Sequence, residues 1–283
     1  MPVMLDQLLA VLSPRALGDD VFEGGQMHPR AAQVFGGQVL GQCLRAAAAT
    51  VPADRPVHSL HAYFLRRGDP RAPLQLEVER ALDGGSLSSR RVVARQRGEA
   101  ILVSSLSFQG AGQGEAFQVD MPSVPPPEAL RSERELALAG GTLDEDLLIV
   151  TGEDLDVRLV DPPDWSNPSP RPPHMHAWMR ATGEVPDSPG LHPALLAYLS
   201  DTMLLDVCLL IHGLSFHQPD IQSASLDHAI WFHAPFRADE WLLHSVDAEA
   251  VGGGRGLARG RFYTRDGRLV ASVAQQGLMR YRR

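Results

Sequence analysis

The sequence predicts an α+β chain of two tandem units, each a curved antiparallel sheet wrapped around one long central helix. Three observations carry this. Residues 57–110 overlie residues 224–277 at a constant offset of 167, so that His61-Ala62 falls on His228-Ala229, Gly85 on Gly252, Leu102-Val103 on Leu269-Val270 and Gly110 on Gly277. In each copy the order of elements is the same: two strands, a glycine-rich turn, two more strands, with one apolar helix upstream. The second of those helices carries Leu195, Leu196, Leu199, Met203, Leu204, Leu205, Val207, Cys208, Leu209, Leu210 and Ile211, apolar on every side. Such a helix must be buried all round, which a sheet curled about it achieves. This is the tandem double-hotdog architecture.

The elements follow in order. MPVMLDQLLAVLSPRAL reads as an amphipathic first helix that ends before Pro14. It has no basic leading segment and carries Asp6, so a secretion signal is not expected. A short strand precedes each central helix. The first helix is AQVFGGQVLGQCLRAAAATV, and Gly36-Gly37 are expected to turn the chain tightly into it. Strands follow in HSLHAYFL, PLQLEVERAL, SSRRVVARQ and AILVSSLSFQ, with DGGS as a hairpin turn. These complete an N-terminal unit, residues 1–114. Residues 115–150 lack strand periodicity and contain the prolines 125–127, so they read as a linker with a helix from Glu128 to Ala139. The C-terminal unit, residues 151–283, takes HPALLAYLSDTMLLDVCLLIHG as its helix. Its strands are ASLDHAIWFH, WLLHSVDAEA, LARGRFYTR and RLVASVAQQGLMR, with VGGGRG at the turn.

Composition excludes several functions. All 26 basic residues are arginine and none is lysine, so Schiff-base chemistry, a P-loop lysine and a Ser–Lys dyad are ruled out. Net charge of −8 argues against nucleic acid as a partner. No apolar run reaches the roughly 18–20 residues of a membrane span, so no membrane partner is expected. The two cysteines, Cys43 and Cys208, sit in apolar runs and suggest neither a disulfide framework nor a zinc site. A reducing cytoplasm is the expected location. There is no G-x-S-x-G elbow and no H-E-x-x-H. His174 and His176 share a strand face, but no third ligand accompanies them, so no metal is expected.

A different constellation remains. Asp201 falls among Ala197, Tyr198, Leu204 and Leu205 at helical spacing, and a carboxylate on a buried face needs a partner or a task. Asp206, among Thr202, Met203, Leu209 and Leu210, qualifies on the same grounds. Strand alternation puts Ser225, Asp227 and Ala229 on one face and Leu226, His228 and Ile230 on the other. Gln275 and Gln276 lie on the last strand, one on each face. A carboxylate that accepts a proton from water, with a hydroxyl and an amide to hold that water, makes a hydrolytic site with no covalent nucleophile.

The blocks QVFGGQVLGQ, VHSLHAYFLRRGD, LLAYLSD, IQSASLDHAIWFHAPF and RGLARGRFYTRDGRLVASVAQQGLMR together resemble the acyl-CoA thioesterase II family, in order and over most of the chain. The resemblance implies hydrolysis of fatty acyl-CoA to free fatty acid and CoA, a homo-oligomer (dimer or tetramer) and no cofactor. It also implies a catalytic set of Asp201, Ser225 and Gln275, and so selects Asp201 over Asp206 and Gln275 over Gln276. Some members carry Thr where this chain has Ser225. At the repeat offset Ser225 faces His58 and Gln275 faces Phe108, so one working site is expected, in the second half, with Phe108 as packing. Gly36, Gly37, Gln38, His58, Arg90 and Arg91 are candidate substrate contacts. Arg66, Arg67, Arg90 and Arg91 are the candidates for the CoA phosphates. The rival readings are a hotdog enoyl-CoA hydratase or dehydratase and a non-catalytic acyl-CoA-binding protein.

Overall fold

A hairpin and a run of long strands build the sheet of each half. The computed structural model describes residues 3–110, 112, 114–140, 153–216 and 218–281. The chain starts with α1 (Val3–Val11), whose Leu8 is fully buried. The first sheet contains β1 (Arg15–Gly18), β2 (Val21–Gly24), β3 (Val57–Phe64), β4 (Leu74–Asp83), β5 (Leu87–Gln96) and β6 (Glu99–Gln109), with helix α2 (Gly36–Ala48) inside it. The second contains β7 (Leu155–Leu159), β8 (His174–Ala181), β9 (Ile221–Ser225), β10 (Asp227–Phe232), β11 (Leu242–Gly252), β12 (Arg255–Thr264) and β13 (Leu269–Tyr281). Two strands, rather than the one expected, precede each central helix. The two sheets join edge to edge in the order β1-β2-β4-β5-β6-β3-β10-β13-β12-β11-β8-β7, with β9 also on β13. The joint is the antiparallel pair β3–β10, where Leu60 lies opposite Ile230. No edge is left unpaired at the centre of the molecule.

The second central helix is not continuous. It runs as α4 (Leu191–Ser200), turns through residues 201–205 and resumes as α5 (Asp206–Leu210). Ser200 and Thr202 explain the break. Their hydroxyls donate to the carbonyls of Ala197 and Leu199, at 2.9 and 2.7 Å, in competition with the helix ladder. The Thr202 and Asp206 amides then bond three residues back rather than four. Asp201 caps α4 with φ −86° and ψ 3°. The expectation of burial on all sides holds for α4, where Leu195, Leu196, Ala197, Tyr198 and Leu199 are 0% exposed. α4 packs directly on α2, the two helices forming the shared interior of the double sheet.

The run ASLDHAIWFH is likewise two strands. Ser225 pairs with Gly277 and Ala229 with Ala274, so one extra residue sits between β9 and β10. This bulge breaks the predicted alternation. Ser225 and His228 face the same interior side instead of opposite ones, as their bonds to one residue show below.

The repeat is real in topology, but its offset is not constant. Leu106 and Val273 are equivalent inward positions 167 apart, and their ladder partners Leu60 and Ile230 are 170 apart. The sequence match of His61 to His228 therefore pairs an exposed residue with one that is 1% exposed. By register it is His58 that corresponds to His228, and not to Ser225. Phe108 does correspond to Gln275, and is packed in the core at 1% exposure.

The linker lies against the outer face of the second sheet. Trp178 Nε1 donates to the Pro125 carbonyl at 2.9 Å, and Met121, Val124 and Leu130 cover Trp178, Leu243 and Tyr263. Its expected helix is a 3₁₀ turn at Pro127–Ala129 followed by α3 (Glu133–Gly140). The part of the linker and of its boundary at 141–152 lies outside the described residues.

Candidate active site

Asp201 ends α4 where the N-terminus of α2 meets it. The meeting requires glycine. A Cβ at Gly36 would stand 2.5 Å from Asp201 Oδ2 and 2.8 Å from the Phe64 ring, and one at Gly37 would stand 2.5 Å from the Tyr198 carbonyl oxygen. The Gly37 backbone N–H donates to the Asp201 carboxylate. An anion at a helix N-terminus is favoured by the orphan N–H groups and the macrodipole. The motif FGGQ is thus a close joint between the two units and a donor to the acid.

Two further donors complete the carboxylate's surroundings. Gln275 Nε2 donates one hydrogen to Asp201 Oδ1 at 2.8 Å and the other to Ser225 Oγ at 2.7 Å. The Ser225 hydroxyl also bonds the carboxylate. Behind the amide, His228 Nδ1 is 2.8 Å from Gln275 Oε1 and His228 Nε2 is 2.9 Å from Ser200 Oγ. The His228 nitrogen is 3.9 Å from Asp201 Oδ1, too far for a direct hydrogen bond. Asp201, Ser225 and Gln275 are therefore brought together as the sequence expects. His228 is the residue that alternation hid, because the bulge turns it inward.

Burial and donors act on the acid in opposite directions. The Asp201 side chain is 4% exposed. Desolvation raises its pKa to about 6, with the Gln275, Gly37 and Ser225 hydrogen bonds holding it from rising further. It is ionised at neutral pH. The Asp206 carboxyl opens into the same cavity but makes no hydrogen bond among the described residues. Burial and the nearby Glu133 carboxylate push it up to about 8, so it is protonated at neutral pH. Burial depresses His228 to about 4, which keeps the ring neutral. Burial and hydrogen bonding thus separate the two aspartates that sequence spacing set only narrowly apart.

Two cavities flank the site. One of about 430 Å³ is lined by Gln26, His28, Gln33, Arg67, Asp201, Asp206, Ser225 and Gln275, among others. The other, of about 250 Å³, is bounded chiefly by apolar groups including Val34, Val39, Phe64, Ile101, Leu102 and Leu226. Gly36, Ser225 and Arg67 border both. Much of this wall comes from the N-terminal unit, while Asp201, Ser225 and Gln275 come from the C-terminal unit.

The candidate substrate contacts divide. Gly36 and Gln38 line the larger cavity. Gln38 is held by the structure around it, accepting from the Met27 N–H at 3.1 Å and donating to Gln26 Oε1 at 2.9 Å. His58 does not border either cavity; its Nε2 is 2.8 Å from Ser107 Oγ, as a satisfied sheet histidine. Arg90 is 1% exposed and wholly committed to the first unit's core. It donates to Thr50 Oγ1 and the Thr50 carbonyl and pairs with Asp83 at 2.6 Å, so no phosphate can reach it. Arg91 lies on the outer sheet face, 3.8 Å from Glu79. Arg66 bonds the Ala100 carbonyl and pairs with Glu99. Arg66 borders the smaller cavity and Arg67 borders both, but Arg67 is the one of these four that is exposed and without a hydrogen bond or ion pair among the described residues.

A double hotdog in which an amide bridges a buried carboxylate and a half-buried hydroxyl suits a hydrolase, and comparison with known proteins gives the family. A family model described as acyl-CoA thioesterase matches residues 168–278, and one described as acyl-CoA thioesterase N-terminal domain matches residues 25–109. The chain is 38% identical to acyl-coenzyme A thioesterase 8 of Mus musculus, over 96% of this chain and 88% of the relative. It is 35% identical to acyl-CoA thioesterase 2 of Haemophilus influenzae, over 98% of each. The crystal structure of the acyl-CoA thioesterase II TesB2 from Mycobacterium marinum superposes with a TM-score of 0.79 at 40% identity, covering 97% of this chain and 98% of that one. The chain belongs to the acyl-CoA thioesterase family, a family of thioester hydrolases.

Proposed function

We propose that this protein hydrolyses fatty acyl-CoA thioesters by direct attack of water, with Asp201 as general base and Ser225 and Gln275 as the groups that hold the water. The single observation that carries this is the Gln275 amide, which bridges Asp201 Oδ1 and Ser225 Oγ at 2.8 and 2.7 Å beside an open cavity. A water seated between a carboxylate and a hydroxyl is aligned before it reacts. Ionised Asp201 takes one proton as the oxygen attacks the thioester carbonyl. The C–S bond breaks with its electron pair on sulfur, and CoA leaves as a thiolate, so little acid assistance is needed. Helix N-terminal N–H groups at Gly36 and Gln38 are placed to stabilise the developing oxyanion.

The two cavities suit the two arms of such a substrate. The apolar cavity takes the acyl chain. The polar one takes the CoA arm, with Arg67 at the shared mouth as the free cation for its phosphates. The hydratase or dehydratase reading needs a histidine working directly with a carboxylate. Here the Gln275 amide stands between His228 and Asp201, and the imidazole has no cavity face. A cytoplasmic location belongs to this reading through the cysteine usage and a homo-oligomer through the family resemblance; sedimentation of the purified protein measures the latter.

The test is thiol release from acyl-CoA esters of graded chain length, alongside hydration of crotonyl-CoA. Thiol release that falls at least 100-fold (about 3 kcal/mol) in Asp201→Asn supports the assignment. Wild-type turnover in that variant, or hydration without thiol release, sinks it.

A further inference from the structure

We propose that His228 is a positioning residue for hydrolysis: from the core of the second unit it fixes the orientation of the Gln275 amide, so that both amide hydrogens point at Asp201 and Ser225. This rests on the function proposed above.

A glutamine amide is nearly symmetric in shape, and only its hydrogen-bond partners decide which end faces which way. In the observed orientation Nε2 serves the acid and the hydroxyl, while Oε1 faces His228 Nδ1 at 2.8 Å. Rotation by half a turn would set the amide oxygen against the carboxylate, two acceptors in contact, and remove the hydrogen that steadies the base. Gln275 is 1% exposed, so a reversed amide would leave mismatched polar groups at a buried position. The orientation therefore depends on a donor behind Oε1, and His228 Nδ1–H is that donor.

The histidine is fixed in turn. Its side chain is fully buried. Its second nitrogen lies 2.9 Å from the Ser200 hydroxyl, which is equally near the Ala197 carbonyl and turns its one proton to the ring when Nδ1 carries the ring's proton. Ser200 is the residue next to Asp201. Asp201, Gln275, His228 and Ser200 thus form a closed ring of three hydrogen bonds and one peptide link, tying strand β13 and strand β10 to the helix break that carries the base. The other titratable groups here are His244, stacked on Phe262 at 4.0 Å with both nitrogens unpartnered, and Asp206 across the cavity. Neither contacts the Gln275 amide, so the donor is His228 alone.

The experiment uses thiol release by the full chain, with the acyl-CoA that wild type turns over fastest, over pH 5–9. His228→Phe keeps the ring shape and removes the donor. It is expected to lose about 10- to 100-fold in kcat with KM within about threefold, the range of an unmade buried hydrogen bond. The acid limb of its kcat/KM profile moves to higher pH, because Asp201 loses a donor. His228→Gln restores a donor and recovers most of the loss. In a Gln275→Ala background, His228→Phe costs less than about twofold more, since the two act as one unit. A folded His228→Phe with wild-type kcat and acid limb overturns the proposal, as do losses that simply multiply in the double variant. If His228→Phe lacks a cooperative unfolding transition, His228→Met takes its place. The ¹⁵N shifts of labelled wild-type protein decide independently: a neutral ring with its proton on Nδ1 from pH 5 to 8 is expected, and a proton on Nε2 refutes the proposal. Turnover by Asp201→Asn at the wild-type rate would instead overturn the base assignment, a separate result.

Discussion

Removing the charge of Asp201 should abolish most turnover and at the same time remove a pH-dependent cost to stability. The carboxyl is buried, and its pKa rises from 3.8 to about 6 in the folded state. A folded-state pKa above the unfolded one means the folded protein binds more protons between those values. Stability is then greatest below about pH 4 and falls as pH rises through about 6. The distance between 3.8 and about 6 corresponds to about 3 kcal/mol lost at neutral pH. The side chain is 4% exposed, so solvent screening does not reduce this much. Asn cannot titrate and carries no such penalty. The amide substitution has its own cost, since one oxygen among three donors becomes an NH₂. That cost is the same at every pH and sets only the vertical offset. The prediction is therefore a slope: the stability of Asp201→Asn minus that of wild type grows by about 3 kcal/mol from pH 4 to pH 7. Urea denaturation of both proteins at half-unit pH steps measures it, provided the m-values agree. Asp206, Glu133 and Asp154 are raised too, to about 8, 7 and 6, but they are common to both proteins and cancel. Parallel curves, with a difference changing by less than about 1 kcal/mol, would show that Asp201 is not a strained buried acid.

Three further expectations follow from the geometry. Gly37→Ala puts a methyl 2.5 Å from the Tyr198 carbonyl oxygen and should cost about 1–3 kcal/mol by forcing α2 from α4, with a matching fall in midpoint and in kcat. Arg90→Met should destabilise by about 2–4 kcal/mol through the lost bonds to Thr50 and neighbours. KM for acyl-CoA should stay within about twofold, since the guanidinium sits in the core; a large rise in KM would return Arg90 to the substrate site. Arg67→Ala should raise KM for acyl-CoA several-fold while leaving KM for an acyl-N-acetylcysteamine, which has no phosphates, as in wild type. Equal rises on both substrates would place Arg67 at the acyl arm instead.

Much of this site could be read in the sequence because its residues stand out chemically. A carboxylate in LLAYLSD and a glutamine in VAQQG sit within apolar runs, and burial without a partner is costly enough to mark them. The failures share one cause, which is the count of residues per element. A single extra residue at Leu226-Asp227 moved His228 onto the face of Ser225, so strict alternation assigned it to the wrong side. A three-residue slip within the repeat made Ser225 the apparent counterpart of His58. Asp201 and Asp206 looked alike because helical spacing was extended across a break that Ser200 and Thr202 introduce. Arg90 could not be told from Arg91 by composition, since the inward direction of one and the outward direction of the other follow from the sheet's pairing.

The interface between the two units explains why a duplicated fold would keep one site. α2 and α4 run antiparallel against each other, so each helix start faces the other helix's end. At one end the start of α2 meets Asp201, with glycine on the α2 side and three donors around the acid. At the other end the start of α4, at Gly190, meets Ala48 and the aliphatic stem of Arg45, whose guanidinium is bonded to the Pro189 carbonyl and Ser188. A cation and small apolar groups occupy the place where an acid would be needed, and Phe108 stands where Gln275 does in the working half. The first unit is not idle, however. It supplies the helix start, the cavity wall from Gln33 to Gly36 and the free Arg67. Replacing its Gly36 should therefore impair turnover as a change at Asp201 does, although all three residues of the proposed catalytic set lie in the second unit. Wild-type kcat in a folded Gly36→Ala would mean that the second unit's acid works without its neighbour, and the single site would then belong to one half alone.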